Sequence, residues 1–356
     1  MKPLQMPMFS PETEWVPPLS LPDLKEYSEI AIDLETRDPN LMTMGSGAIR
    51  GDGEVVGIAV AVEGWKGYFP IAHEAGGNMD RALVLDWFEE VLHTPATKIF
   101  HNAMYDVSWI RSLGFQINGG IIDTMIASSL VDENRWSFTL DSMSKQYVGM
   151  GKNEKTLAEA AKAWGVNPKA EMWRLPAPLV GEYAERDAEV TLKLWHAMKH
   201  ELTQQELWDV FNLETNLFPC LVDMKFKGVR VDLDQAEILK KDLNKQEKII
   251  HQKIEKLSGF PIEIYAATSI AKAFDKLKMP YDRTDKGAPS FTKNFLATHP
   301  HELPKLINEA REVNKASSTF IDTILKHAHN GRIHSDINQI RSDDGGTVTG
   351  RFSYSN

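Results

Sequence analysis

The segment Ile30–Thr36, IAIDLET, constrains this chain most. Three apolar residues lead into Asp33 and Glu35, which stand one residue apart. Side chains alternate between the two faces of a strand, so residues two apart project together. As a strand, the segment brings two carboxylates to one face at the end of an apolar run. Like charges held together repel unless something positive lies between them. Hard divalent cations, which take oxygen ligands, fill that role. Taken alone, the segment also fits a strand running into an acidic turn, because 50 of 356 residues are acidic.

Around it the pattern is that of an α/β domain with a mixed sheet and flanking helices. A strand is expected over 30–34, and a hairpin of Val55–Val62 and Trp65–Ile71 around Glu63–Gly64. Thr97–Phe100 is a further strand and Ile121–Ile122 a short apolar step. Helical spacing covers Met79–His93 and Ala103–Leu113, and a helix starts near Thr124. Residues 139–200 are mostly helical, broken near Gly149–Gly151, Gly165–Pro168 and Pro176–Pro178. The glycines at 45, 47, 51 and 53 do not follow a strand and open a helix with GxGxxG spacing, so they predict a flexible surface loop, not a dinucleotide site.

From Glu201 the pattern changes to long helices. Asp232 caps a helix over Leu233–Leu257 and Gly259 stops it. Ser269–Lys278 and Pro304–Ala328 are further helices, and Gly331–Gln339 alternates like a strand. Charge changes with the pattern. Residues 225–356 carry 22 Lys+Arg against 17 Asp+Glu, while residues 1–224 carry 18 against 33. A mildly basic half can bind phosphates locally although the whole chain has a net charge of −10. The single cysteine, Cys220, excludes an intrachain disulfide and fits a reducing, cytoplasmic setting. Residues 1–24 form a proline-rich, extended lead-in that lacks a signal peptide's apolar core. No apolar run is long enough to span a membrane.

Two more segments carry acids in apolar surroundings. In FHNAMYDVSWI, Phe100–Ile110, Asp106 opens an apolar helix, where a carboxylate needs a partner. In YAERDAEVT, Tyr183 and Asp187 stand four residues apart and share a helix face. Individually, Asp106 also fits a helix cap, and Tyr183 with Asp187 a solvated face. Asp123 and Asp132 fit caps or surface positions, and His101 fits a packing residue beside the site.

Together, IAIDLET, HNAMYD and YAERDAEVT resemble the three motifs of the DEDDy 3′–5′ exonucleases in order and approximate separation. Residues 123–149 resemble the stretch between the second and third motifs in polymerase I-type enzymes. MKFKGVRVD (Met224–Asp232), KASSTFID (Lys315–Asp322) and GRIH (Gly331–His334) resemble the thumb of family A DNA polymerases. GTVTGRFSYSN (Gly346–Asn356) resembles the start of their palm, and the wording is most similar to bacteriophage enzymes.

The resemblance implies an RNase H-like exonuclease domain over 25–200, a helical linker and thumb-like region over 201–330, and a truncated start of the palm over 331–356. It implies that Asp33, Glu35, Asp106 and Asp187 hold two divalent ions, Mg²⁺ or Mn²⁺, while Tyr183 orients the attacking water. Thr36, Asn102 and Tyr105 match the terminal-nucleotide pocket, with Leu41 or Met42 near a base-wedging position. Lys315, Ser318 and Arg351 match duplex-contacting positions. The expected partners are a single-stranded 3′ end and a primer–template duplex, in the cytoplasm of a bacterial host if phage-encoded. The palm and fingers would follow Asn356, so no templated extension is expected from this chain alone. The alternative role is a DNA-binding assembly subunit completed by a separate palm–fingers chain. An RNA-trimming exonuclease would account for the acids but not for the thumb-like helices.

Overall fold

The computed structural model describes residues 7, 11–151, 155–342 and 345–355. The chain divides into two compact units, Met1–Gly228 with His334–Asn356, and Val229–Ile333. Of the expected lead-in, Pro7 and the residues from Pro11 onward are described, and the rest lies outside the described residues.

The first unit is built on five strands: β1 (Glu29–Arg37), β2 (Glu54–Val62), β3 (Trp65–Pro70), β4 (Thr97–Phe100) and β5 (Ile121–Asp123). Their order is β3-β2-β1-β4-β5, a mixed sheet with β1 in the middle. β1 is antiparallel to β2 and parallel to β4. Its alternation divides the core. Ile30, Ile32 and Leu34 pack in one cluster with Val84, Trp87 and Phe88. Ala31 joins Ala59, Ala61, Ala184 and Ala188 in the other. Alanines on both partners let a helix lie close on this face, and that face carries Asp33 and Glu35.

The helices of this unit begin with two single turns, α1 (Leu41–Met44) and α2 (Gly47–Arg50). They replace the expected flexible loop. Asp38 accepts the Gly47 N–H at 2.9 Å and pairs with Arg50, which organises the turn and buries Ser46, Gly47 and Ala48. Next come α3 (Arg81–His93), α4 (Ala103–Ser112), α5 (Thr124–Val131), α6 (Leu140–Tyr147) and α7 (Lys155–Trp164). Two long helices follow, α8 (Gly181–Gln204) and α9 (Trp208–Lys227), separated where Glu206 takes φ 57°. α8 packs across β1, β2 and β3.

Residues from His334 onward return to this unit. His334 Nδ1 donates to the Lys225 carbonyl at 2.8 Å, and Lys225 Nζ pairs with Asp336 at 2.6 Å. Asp336–Asn338 then pairs antiparallel with Ser353–Ser355.

The second unit is helical: α10 (Leu233–Ser258), α11 (Ala267–Lys276), α12 (Lys293–Thr298), α13 (Glu302–Asn314) and α14 (Asp322–His327). α10 starts at Asp232, which accepts the Gln235 N–H, and stops at left-handed Gly259, φ 78°. Its 26 residues span about 39 Å. Ile250 and Ile254 of α10 meet Ile270 and Phe274 of α11 and Ile307 of α13 in one core. The single helix expected over Pro304–Ala328 is interrupted by a π-helical segment, Lys315–Ile321. There Ser317 donates to Asn244 of α10 at 2.8 Å and Ser318 to the Asn314 carbonyl at 2.8 Å, so side-chain hydroxyls compete with the regular ladder. Among the described residues no helix is long and apolar enough to cross a membrane.

Candidate active site

The site begins where β1 runs past its pairing with β4, which ends at Ala31. Asp33 stands opposite Ala59 and Glu35 opposite Gly57, so both acids project to the face covered by α8. The register shifts between Glu35 and Thr36, a local bulge of the kind that re-aims side chains beside active sites. Between the two acids, the Leu34 backbone N–H donates to Oδ1 of Asp106 at 2.9 Å. The second motif's acid is thereby fixed to the first motif's strand.

Asp106 is buried because α4 starts at the end of β4, beside β1, and carries its acid in the first turn. The start of α4 is set by Asp123. That carboxylate accepts the N–H groups of Asn102 at 3.0 Å and Ala103 at 2.8 Å, and caps α5 through Met125 N–H at 2.8 Å. Burial pushes Asp123 up to about 6 against those hydrogen bonds. Asn102 takes a left-handed conformation, φ 66°, and makes no capping bond with its own side chain. Asp123 therefore caps two helices at once. No local pattern shows the second, because Asn102 and Asp123 meet only when β4 and β5 pair.

α8 supplies Tyr183 and Asp187. Asp187 is buried, and the Tyr183 hydroxyl is bonded to its carboxylate. Burial, then the charges of Asp187, Glu35 and Asp33, raise the Tyr183 phenol well above its ordinary range. Burial, then the charge of Asp33, likewise raises Asp106 well above the carboxylate range. These mutual effects bring Asp33, Glu35, Asp106, Tyr183 and Asp187 into one neighbourhood from three elements.

Their chemistry fits a hard cation: four carboxylates supply oxygen donors, and their mutual repulsion is what a divalent ion relieves. Among the described residues, no three acid, histidine or cysteine side chains stand together as a preformed metal-binding group. The fit is therefore one of donor chemistry and neighbourhood.

Thr36 and Tyr105 are joined by a hydrogen bond between their hydroxyls. Burial pushes the Tyr105 phenol up to about 12. Asn102 and Tyr105 line a cleft of about 370 Å³ with Leu41 and Met42, and Asn338 and Ile340 also line it. His101 is a packing residue: its ring nitrogens meet Thr124 Oγ1 at 2.8 Å and the Phe138 carbonyl at 2.9 Å. Lys315 and Ser318 are exposed on the π-helical segment of the second unit. Arg351 is exposed in the first.

Residues 20–203 match the family model described as 3′–5′ exonuclease, and residues 233–356 match DNA polymerase family A. The chain belongs to the family A DNA polymerases, in their exonuclease-bearing part. It is 32% identical to a DNA-directed DNA polymerase of Pseudomonas phage M6, over 99% of this chain and 55% of that protein. It is 29% identical to DNA polymerase DpoZ of Acinetobacter phage SH-Ab 15497, over 94% of this chain and 56% of that one. DNA polymerase I of Pseudomonas aeruginosa is 28% identical, over 94% of this chain and 36% of that one. The chain thus spans about half the length of the phage relatives. The fold is similar to that of the POL domain of Pol1 from M. smegmatis, solved with DNA primer-template and dNTP. The TM-score is 0.67 and the identity 20%, covering 93% of this chain and 51% of that one.

Proposed function

We propose that this chain is the 3′–5′ exonuclease portion of a proofreading DNA polymerase that acts in DNA replication. Its reaction is hydrolysis of the 3′-terminal phosphodiester of DNA, releasing 5′-mononucleotides. The observation that carries this reading is the convergence of Asp33, Glu35, Asp106 and Asp187 with Tyr183 at the end of β1. This is the DEDDy set, and the four acids are the residues that would hold two Mg²⁺ or Mn²⁺ ions. When bound, such a pair supplies a more acidic water and charge stabilisation for the attacking and leaving oxygens.

The remaining work falls to the chain's own side chains. Leu34 holds Asp106 in place through its N–H. Tyr183 stays protonated at neutral pH, so it orients water by hydrogen bonding and does not act as a base. Glu35 accepts the water's hydrogen bond. Thr36, Asn102 and Tyr105 hold the terminal nucleotide, and the adjoining cleft takes the strand behind it. Only a frayed 3′ end reaches such a site, and a mismatch lowers the cost of fraying. Exposed Lys315, Ser318 and Arg351 contact the primer–template duplex. A separate palm–fingers chain is the partner that templated synthesis would require of a split enzyme.

The test uses the purified chain with Mg²⁺ and 5′-labelled single-stranded DNA. Stepwise shortening from the 3′ end is expected, lost in EDTA and in the Asp33→Ala/Glu35→Ala variant. Equal shortening by that variant would overturn the assignment.

A further inference from the structure

Tyr68 stands on the same sheet face as the acids. Ala59 is opposite Asp33 across β1 and β2, and opposite Tyr68 across β2 and β3. Directly opposed residues project to one side, so Asp33, Glu35 and Tyr68 share a face. The tyrosine hydroxyl occupies the room left by Gly57, the partner of Glu35. A Cβ at Gly57 would lie 2.0 Å from that oxygen. Opposed Cβ atoms are about 4.5–5.5 Å apart, which puts the phenol oxygen within reach of the Glu35 side chain.

The direction of the Tyr68 proton follows from its other neighbour. His73 is buried, and its Nδ1 lies 2.9 Å from the Leu175 carbonyl oxygen. A carbonyl only accepts, so Nδ1 carries the proton, and in a neutral ring Nε2 must then accept. Nε2 lies 2.7 Å from the Tyr68 hydroxyl, so Tyr68 donates to His73. Burial lowers His73 to about 4, which keeps the ring neutral at neutral pH. The one phenol proton is thus directed away from the carboxylates. The ring is held as well: Trp15 lies against it, and Glu185 Oε1 accepts from both Trp15 Nε1 and the Tyr68 N–H.

We propose that the Leu175–His73–Tyr68 chain is a positioning device that keeps the Tyr68 proton off Glu35, leaving that carboxylate to bind a divalent cation. The inference rests on the exonuclease reading above. Tyr68 and His73 touch neither substrate nor cation in it. They act through Glu35.

The test is a Mn²⁺ titration of the 356-residue chain, read by the paramagnetic resonance signal of the free ion. His73→Phe frees the phenol proton to bond Glu35, and the Mn²⁺ dissociation constant should rise about 10-fold, the scale of other outer-shell changes. Tyr68→Phe and the double variant have no such proton, and both should stay within about twofold of wild type, well inside that effect. An unchanged His73→Phe, or a double variant as weak as His73→Phe, would overturn the inference. So would a clear weakening in Tyr68→Phe. Nitrogen-15 NMR of the wild-type histidines decides independently of whether the variants fold. His73 should carry its proton on Nδ1, and a proton on Nε2 overturns the proposal. A wild-type chain that neither binds Mn²⁺ nor shortens DNA removes the exonuclease reading and this inference with it. Binding and shortening without rescue removes the inference alone.

Discussion

The Leu34 N–H and the Asp106 carboxylate, 2.9 Å apart, join two motifs 72 residues apart in the chain. The bond is made to the peptide between Asp33 and Glu35, so the strand that presents two acids also fixes the third. Asp106 is held there at an electrostatic cost, since burial and Asp33 both disfavour its charge.

Asp106→Asn should separate that cost from function. The amide retains an oxygen for the Leu34 N–H and removes the charge. In EDTA the variant should melt higher than wild type, by roughly 1–2 °C for each kcal/mol recovered, because the unfolding entropy scales with the 356 residues. DNA shortening should fall by about 100-fold or more, the scale of losing one charge-stabilising group. Thermal melts and gel assays on the same preparations check both signs, and a lower melting point would contradict the account of Asp106.

Asn102 distinguishes a backbone role from a side-chain role. Its left-handed conformation costs most L residues about 1–2 kcal/mol, which asparagine and glycine avoid best. Asn102→Ala should therefore be destabilised by about 1 kcal/mol, whereas Asn102→Gly should fold as well as wild type. Both variants should show a raised KM for single-stranded DNA if the amide holds the terminal nucleotide. A normal KM in Asn102→Gly would remove Asn102 from the pocket.

Lys98 is fully buried and donates to the carbonyl oxygens of Thr94, Ala96 and Asn118. It ties the loop before β4 to the segment before β5. Lys98→Met keeps the apolar stem but leaves those carbonyls without this donor, which should cost about 2–4 kcal/mol. Chemical denaturation measures the loss. The folded fraction should retain its kcat, because the brace lies outside the site.

His73 should shape the acid limb of stability. Its folded value of about 4 lies below the ordinary 6.5, so between these values the unfolded chain binds the extra proton. The stability His73 contributes is present above pH 6.5 and is lost as pH falls through about 4. The loss amounts to about 3 kcal/mol at 1.36 kcal/mol per unit. Denaturation midpoints of wild type should fall over this range by more than those of His73→Phe. Parallel curves for the two proteins would contradict it.

The strongest periodic signals carried most of the architecture. Thr97–Phe100 and the hairpin around Gly64 lie where alternation and turn chemistry place them. Asp232 and Gly259 bound α10 as their capping preferences require. Singly, each acid also fits a turn, a cap or a solvated face; the set is legible only because three segments carry acids in the order and separation of a known motif set. What escaped depends on contacts made through space. Asp123 reaches Asn102 across two paired strands, the Tyr68 hydroxyl fills the room left by Gly57, and Ser317 reaches α10 from the π-helical segment. None of these leaves a periodic trace. The single turns at 41–50 escaped for a related reason: their order comes from Asp38 and Arg50, not from helix propensity.

β1 is bonded to β4 over Glu29–Ala31 and to β2 from Ala31 to Arg37, so the stretch that carries the acids has a strand on one edge only. Amide hydrogens in the strand ladder meet solvent when the sheet opens, whereas an amide held by a side chain can open locally at lower cost. Deuterium uptake at Leu34 therefore times the breaking of one side-chain bond, the bond that locks Asp106 to the strand. Exchange at that one amide thus distinguishes the parting of the second motif from the first and the unfolding of the domain that carries both.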